Sequence, residues 1–133
     1  MSLLRIVVMA AACVAPGIAF AQSPEPTWRL VSVGGAPAEG EGEIGFGPDG
    51  AVFGSTGCNR FTGAGVFEGG ALTIPGPMAG TRMACPEPLM VQETKVYEAL
   101  SGTSALVYDP FSDSLTLTPA SGAAELRFER KAD

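Results

Sequence analysis

Histidine is absent from the 133 residues, and lysine occurs only as Lys95 and Lys131. Histidine is the usual general base beside a cysteine or serine nucleophile, and it is the commonest zinc ligand. Its absence excludes papain-like and Ser-His-Asp catalysis. A Ser-Lys dyad would need one of the lysines, but Lys95 faces away from the apolar side of a predicted helix and Lys131 lies near the C-terminus. We therefore expect no catalytic residues and no enzymatic activity.

Positive charge is also scarce, because 8 basic residues stand against 14 acidic ones and give a formal net charge of −6. A surface with this balance repels nucleic acid and anionic lipid. We therefore expect neither as a partner. Charged residues make up only 17% of the chain and glycine is frequent, with 18 residues. This composition favours a compact, glycine-rich β domain over a disordered chain.

The N-terminus has the layout of a secretory signal peptide. Arg5 precedes an apolar run over residues 6–20, which ends in an A-x-A box at Ala19 and Ala21. We expect cleavage after Ala21, removal of residues 1–21, no membrane span in the mature chain, and a periplasmic or secreted protein. Lipidation at Cys13 is the less favoured alternative, since three alanines precede it without the usual leucine-like residue.

The remaining residues, 22–133, suffice for one domain with its core over 27–130. Apolar and polar side chains alternate over residues 28–33, which is typical of a half-buried strand. Two hairpins are predicted, one around Pro48, Asp49 and Gly50 and one around residues 68–70. Residues 34–42 are predicted as a loop. Three late strands are predicted around residues 107–108, 115–117 and 126–128.

One helix is predicted over about residues 86–101. Pro86 suits the first helical position, and Gly102 is a typical helix end. An apolar stripe contains Leu89, Met90, Val96, Tyr97 and Leu100.

Glu93 falls in the middle of that stripe. A carboxylate that faces a core is costly unless hydrogen bonds or a cation meet it. We expect Glu93 to be at least partly buried in a structural polar cluster with Asn59, Arg60, Thr81 and Arg82. A catalytic acid in an apolar pocket is the less favoured alternative.

Two cysteines, Cys58 and Cys85, remain after leader removal. An even count in an exported domain favours a disulfide, which would stabilise the fold by about 3.5 kcal/mol; two buried thiols are the alternative. Neither belongs to a C-x-x-C pair, so we expect no metal site. Residues 40–45 match G-x-G-x-x-G in letters, but a hairpin and not a helix follows, so we expect no nucleotide cofactor.

The chain resembles the META domain family, which includes the heat-shock-inducible bacterial protein HslJ. The resemblance extends from Trp28 to Phe128 and depends on G-C-N-R-F at residues 57–61 and T-x-M-A-C-P at residues 81–86. Its signature residues are Gly57, Cys58, Asn59, Arg60, Phe61, Thr81, Met83, Cys85 and Pro86.

The resemblance implies a single α+β domain, with a curved antiparallel sheet or cracked barrel packed on one helix. It also implies an envelope-associated protein linked to heat shock and antibiotic tolerance, with no established enzymatic activity. The signature residues are then framework. We expect a monomer that binds an unknown protein of the cell envelope.

A carrier of a small apolar ligand is the alternative function, because a half-open barrel can hold such a ligand between sheet and helix. The side chains that would line or fill the space are Phe46, Phe53, Phe61, Phe67, Val96 and Leu100. With so small a core, we expect them to fill it.

Overall fold

The computed structural model describes residues 26–132. The predicted leader, residues 1–21, and Cys13 lie outside the described residues. Within residues 26–132, no helix has the length and apolar character that crossing a membrane requires.

Eleven strands and one α-helix make up the described chain. The strands are β1 (Trp28–Val33), β2 (Ala36–Pro37), β3 (Glu43–Phe46), β4 (Ala51–Ser55), β5 (Arg60–Ala64), β6 (Val66–Glu68), β7 (Ala71–Ile74), β8 (Ala79–Gly80), β9 (Gly102–Asp109), β10 (Ser114–Pro119) and β11 (Leu126–Arg130). The helix, α1, is Glu87–Leu100 and lies between β8 and β9.

All strand pairs are antiparallel, and the sheet order is β6-β7-β9-β10-β11-β1-β3-β4-β5-β8, with β2 paired to β1. β5 and β6 lie near opposite ends of this order, yet only Gly65 separates them in sequence. The sheet must therefore curl to bring these two strands together. The Gly65 N–H donates to the Gly50 carbonyl at 2.8 Å. The predicted fold class, a single α+β domain with a curved antiparallel sheet on one helix, is confirmed.

The alternation of apolar and polar side chains along β1 gives the strand one buried face, as predicted. Trp28, Leu30 and Val33 are buried while Arg29 is exposed. The strand keeps this inward face although its register against β11 shifts between Leu30 and Ser32, where a bulge interrupts the pairing. The core between sheet and helix contains Ile44, Leu72, Leu100, Leu117 and Leu126, all less than 2% exposed.

Both predicted hairpins form. The first joins β3 to β4 through a short 3-10 turn over Pro48–Gly50, in which Asp49 has φ 58° and Gly50 has φ 80°. The second joins β6 to β7 through Gly69 and Gly70, with φ 58° and 78°. Two successive positive φ angles match the twist of a tight hairpin, which is why glycine occupies both positions.

The helix is shorter by one residue at each end than the predicted 86–101. Pro86 is the N-cap and not the first helical residue, so its ring precedes the first turn. Gly102, with φ 80°, follows the C-cap Ser101 as predicted. Val96, Ala99 and Leu100 are buried against the sheet, whereas Met90 is 37% exposed although it was expected in the stripe.

Four strands differ from the predictions. Residues 36–37 form β2 within the predicted loop, residues 79–80 form β8, which was not predicted, and β9 begins at Gly102 rather than near residue 107. The strand β5 was not predicted, because its sequence R-F-T-G-A has only one large inward side chain, Phe61. A single buried aromatic gives too little alternation to mark a strand.

Candidate functional site

The predicted disulfide between Cys58 and Cys85 is present and excludes the alternative of two free thiols in this structure. It joins the turn between β4 and β5 to the residue directly before the helix N-cap, with 6.0 Å between the two Cα atoms. Cys58 is 8% exposed. The bond therefore anchors the start of α1 to the sheet.

Glu93 is 8% exposed, and both of its carboxylate oxygens accept hydrogen bonds. The Thr56 hydroxyl donates to Oε1 at 3.0 Å, and Asn59 Nδ2 donates to Oε2 at 3.2 Å. Hydrogen bonds to an ionised acceptor are stronger than neutral ones, so these two donors offset part of the cost of burying the carboxylate. Among residues 26–132, no basic side chain forms a salt bridge with Glu93.

Asn59 connects three segments of the chain and is 2% exposed. Its Oδ1 accepts from the Met83 N–H at 2.7 Å and from the Thr81 hydroxyl at 3.0 Å. Its Nδ2 donates to the Met83 carbonyl at 3.2 Å as well as to Glu93. The amide thus pairs with both backbone groups of Met83, as a neighbouring strand residue would.

Thr56 shapes the turn that presents Asn59 and Cys58. Its hydroxyl oxygen accepts from the N–H groups of Cys58 at 3.2 Å and Asn59 at 3.1 Å. Gly57 has φ 103°, and a Cβ there would lie 3.0 Å from Gln92 Nε2. Only glycine fits this turn without strain.

Gln92 fastens the same turn to the helix from the other side. Its Nε2 donates to the carbonyls of Thr56 at 2.7 Å and Glu39 at 2.9 Å, and its Oε1 accepts from the Glu39 N–H at 2.7 Å. Thr56, Asn59, Gln92, Glu93 and the disulfide are hereafter the disulfide cluster.

Two residues predicted for the polar cluster take a different place. The side chains of Arg60 and Arg82 are exposed and do not reach Glu93. Arg60 contributes only its backbone, since its N–H donates to the Thr81 hydroxyl at 3.0 Å and its carbonyl accepts from the Thr81 N–H at 3.0 Å. Arg60 faces outward because it precedes the buried Phe61 on β5, and successive side chains of a strand point to opposite faces.

The hydrogen-bonding capacity of the disulfide cluster is used within the fold. Among the described residues, no buried side-chain nitrogen or oxygen lacks a hydrogen-bond partner. In that same part of the chain, no three side chains of the histidine, cysteine or acidic types come together as a metal site would require. The arrangement therefore serves to hold the turn, the segment before the helix, and the helix in one geometry.

Tyr97 lies one helical turn beyond Glu93 and packs edge-on against Phe61, with 6.1 Å between ring centroids. Burial raises the pKa of Tyr97 above its ordinary value of 10.0, and the negative charge of Glu93 raises it further. The phenol thus stays protonated through the neutral range.

A second notable feature is the tip of the hairpin between β9 and β10, where Phe111 is 99% exposed. Asp109 organises the turn, because its carboxylate accepts from the Phe111 N–H at 2.9 Å and from the Ser112 hydroxyl at 3.0 Å. The backbone hydrogen bond from Phe111 is the main cause that lowers the pKa of Asp109. The carboxylate therefore stays ionised beside the exposed ring.

Side chains below the tip fix it to the sheet. Asp113 accepts from the Tyr108 hydroxyl at 2.8 Å and from Arg130 Nε at 2.9 Å. Tyr108 packs edge-on against Trp28 at 6.0 Å, and the Arg130 guanidinium lies 4.5 Å above the Trp28 ring. The tip that presents Phe111 is consequently held by side-chain contacts at its base.

Sequence reasoning missed Thr56, Gln92 and Phe111. Thr56 directly precedes the G-C-N-R-F signature, and Gln92 precedes Glu93 at the border of the apolar stripe. Phe111 lies between Pro110 and Ser112 in a loop with two aspartates, and an aromatic ring in so polar a turn was an available signal.

Comparison with known proteins gives a consistent result. The family model of the META domain matches residues 21–132. No curated protein matches the chain. A protein solved by NMR shares 31% sequence identity, with a TM-score of 0.65 over 79% of this chain and 88% of its own. A second NMR structure, of a protein from Burkholderia xenovorans, has 22% identity and a TM-score of 0.61 over 81% and 83% of the two chains, and shows the same fold. Because the family model spans most of the chain, this protein belongs to the META domain family.

Proposed function

We propose that this chain is a non-catalytic META-domain protein, exported to the cell envelope, that binds another protein. The single observation that carries the proposal is the exposure of Phe111 on a hairpin tip with a well-bonded base. An exposed ring on an ordered turn loses little conformational entropy on binding, and aromatic anchors of this kind supply much of the binding free energy at interfaces.

The charge around Phe111 favours a protein over a lipid surface. Asp109 lies two residues away and is ionised, and the chain carries a net charge of −6. Both disfavour approach to an anionic membrane. A pocket with an apolar floor and a basic rim on a partner protein would match the ring and the carboxylate together.

Capture from envelope extract tests the proposal. Immobilised wild-type protein is compared with Phe111→Ser and with the matched control Phe67→Ser, which removes another exposed ring at 45% exposure. We expect a defined protein to be retained by the wild type and the control and lost with Phe111→Ser. Equal retention by all three, or none by the wild type, would contradict the proposal.

Export is supported by the predicted signal peptide, and the intact mass of the protein recovered from cells tests it. Cleavage after Ala21 gives a chain that begins at Gln22. A mass that corresponds to a lipid-modified Cys13 would show that the mature protein is lipid-anchored instead. An uncleaved chain in the cytoplasm would refute export.

The absence of catalysis is proposed because the only two cysteines in residues 26–132 are bonded to each other and the sequence has no histidine. Turnover of a defined compound that is lost with Glu93→Gln, in protein shown to remain folded, would refute it. A role in stress rests on the resemblance to the heat-shock protein HslJ. A deletion strain with unchanged survival at high temperature and under novobiocin would count against that role.

A second candidate function, a carrier of a small apolar ligand, is favoured by one groove. The groove has a volume of about 370 Å³ and lies between the β1–β2 hairpin and α1, with Val33, Pro37, Pro88 and Val91 among its lining residues. It lies outside the curled sheet, where Phe61, Val96 and Leu100 are packed into the core and Phe46 is partly buried against it. The expectation that Phe53 and Phe67 also fill this space is wrong, since neither belongs to the core and Phe67 is 45% exposed. A lipid that co-purifies in native mass spectrometry and is lost with Val91→Asp would support the carrier; a ligand-free spectrum favours the protein partner.

A further inference from the structure

Within residues 26–132, the sheet ends on one side at β8, which pairs only with β5. The chain continues from β8 along the same side of the fold, and we call residues 79–84 the edge segment. The Thr81 N–H donates to the Arg60 carbonyl at 3.0 Å, and both backbone groups of Met83 pair with the Asn59 amide. Thr81 and Met83 thus direct their backbone N–H groups toward the fold.

Arg82 and Ala84 alternate with these residues and are exposed. Within residues 26–132, the backbone N–H and C=O groups of Arg82 and Ala84 have no hydrogen-bond partner. In an extended chain the backbone groups of successive residues point to opposite sides. The outer side of the edge segment is therefore an open row of donors and acceptors, which is a template for another strand.

The edge segment also borders a groove of about 740 Å³, whose other wall is the face of α1 that carries Met90 and Tyr97. Three methionines, Met78, Met83 and Met90, line it, and Met83 is 57% exposed. Methionine is unbranched and polarisable, so such a surface adapts to different apolar side chains. A strand added at the edge would thus find apolar contacts next to it.

Arg82 gives this edge a charge opposite to that of the whole chain. Arg82 lines the groove and is exposed, and within the described residues its guanidinium has no carboxylate partner, whereas Arg29, Arg130 and Lys131 each form a salt bridge. In a protein with a net charge of −6, an unpaired cation at an open strand edge favours an acidic side chain on the added strand.

We propose that the edge segment binds an extended, acidic segment of another protein by strand addition. The backbone of the added strand pairs with Arg82 and Ala84, a carboxylate meets the Arg82 guanidinium, and its apolar side chains lie on the methionines. Main-chain hydrogen bonds supply the affinity in this mode, and the alternate side chains supply the specificity. This inference rests on the proposed function, because it assigns a second contact surface to a protein-binding domain.

Binding of synthetic peptides, measured by fluorescence anisotropy with the oxidised protein, tests it. The probe alternates glutamate with leucine. One control peptide replaces glutamate with lysine, and another carries N-methyl groups on alternate backbone amides, which removes the donors of one strand edge and keeps the charge. We expect each control to bind at least about tenfold more weakly than the probe.

Protein variants locate the site. Arg82→Glu is expected to weaken binding of the acidic peptide at least about tenfold, and the matched control Arg127→Glu, an exposed arginine of β11, is expected to leave it unchanged. Circular dichroism establishes that both variants fold. Equal binding of the methylated peptide, an equal effect of the two variants, or no binding of the acidic probe would overturn the proposal.

The peptide assay and the capture experiment fail independently. If the acidic peptide does not bind while a partner is still captured through Phe111, strand addition at the edge segment is wrong and the protein-binding function stands. If the peptide binds at the edge segment while nothing is captured from envelope extract, the inference holds and the role assigned to Phe111 is wrong.

Discussion

The substitution Asn59→Asp tests whether the disulfide cluster is a structural framework. It changes one NH₂ group to an oxygen and leaves the size of the side chain nearly the same. In the wild type, Nδ2 donates to Glu93 Oε2 and to the Met83 carbonyl, each at 3.2 Å. The variant loses both bonds and places two carboxylates in direct contact at a site where Asn59 is 2% exposed.

The magnitude follows from these contacts. A buried acceptor left without its donor costs about 1–3 kcal/mol, and more when it is charged. Like charges at this separation add repulsion. We expect the free energy of unfolding to fall by about 3–5 kcal/mol at pH 7, which is a large share of the ~5–15 kcal/mol typical of a small domain.

Acidification is expected to reverse part of this loss. The neighbouring carboxylate raises the pKa of the introduced carboxyl in the folded variant above its unfolded value of about 3.9, so folding takes up a proton. The destabilisation is therefore complete above the raised pKa and diminishes as the pH falls through it, toward about pH 4. A protonated carboxyl can again donate a hydrogen bond.

Urea unfolding at pH 7 and at pH 4, followed by the fluorescence of the single tryptophan Trp28, measures both effects. Gly76→Asp is the matched control, since it adds the same charge at a position with no atoms within 4 Å of a new Cβ. A loss below about 1 kcal/mol at pH 7, or the same loss at both pH values relative to the control, would refute the structural role of Asn59.

Three further predictions concern the Cys58–Cys85 disulfide, Gly54, and the ion pair between Asp113 and Arg130. Replacing Cys58 and Cys85 together by alanine should lower the free energy of unfolding by about 3.5 kcal/mol for a separation of 27 residues, as urea titration without reductant will measure, and an unchanged midpoint would contradict the assigned bond. Gly54→Ala should lower the free energy of unfolding by at least about 1–3 kcal/mol, because a Cβ at this position would overlap the Glu43 backbone. The control Gly76→Ala should change the free energy of unfolding by less than about 0.5 kcal/mol. Similar thermal midpoints for the two variants would show that β3 and β4 are not so close. The hydrogen bond from Tyr108 is the main cause that holds the pKa of Asp113 below its ordinary value, and the Arg130 side chain lowers this pKa further. The stability that the ionised Asp113 contributes to the fold is therefore present above about pH 4 and is lost as the pH falls through the folded-state pKa. Asp113→Asn should therefore flatten the acid side of the stability profile, and a profile identical to that of the wild type would exclude this contribution.

Local patterns predicted much of the fold because they report local physical constraints. Alternation along β1 and the paired glycines at Gly69 and Gly70 follow from the geometry of strands and tight hairpins. The helix end at Gly102 follows from its positive φ. The strand β5 carries too little alternation to be predicted, since its pairing with β4 and β8 depends on partners elsewhere in the chain.

The sequence likewise predicted one part of the candidate site and not another. The position of Glu93 in an apolar stripe predicted a buried carboxylate, but the stripe cannot tell which donors meet it. Arg60 and Arg82 were as plausible as Asn59 and Thr81 on sequence, and the turn at Gly57 directs Asn59 inward while both arginines stay exposed.

The sequence alone determined the number of domains, the main hairpins, the helix and the pair of cysteines available to each other, because these depend on composition and on spacings of a few residues. Only the tertiary structure decided that Asn59 pairs with the backbone of Met83, 24 residues away, and that Arg82 and Ala84 remain an open edge. Hydrogen bonds between distant segments form only where the curled sheet and the docked helix bring donor and acceptor within about 3 Å, and no local pattern encodes that distance.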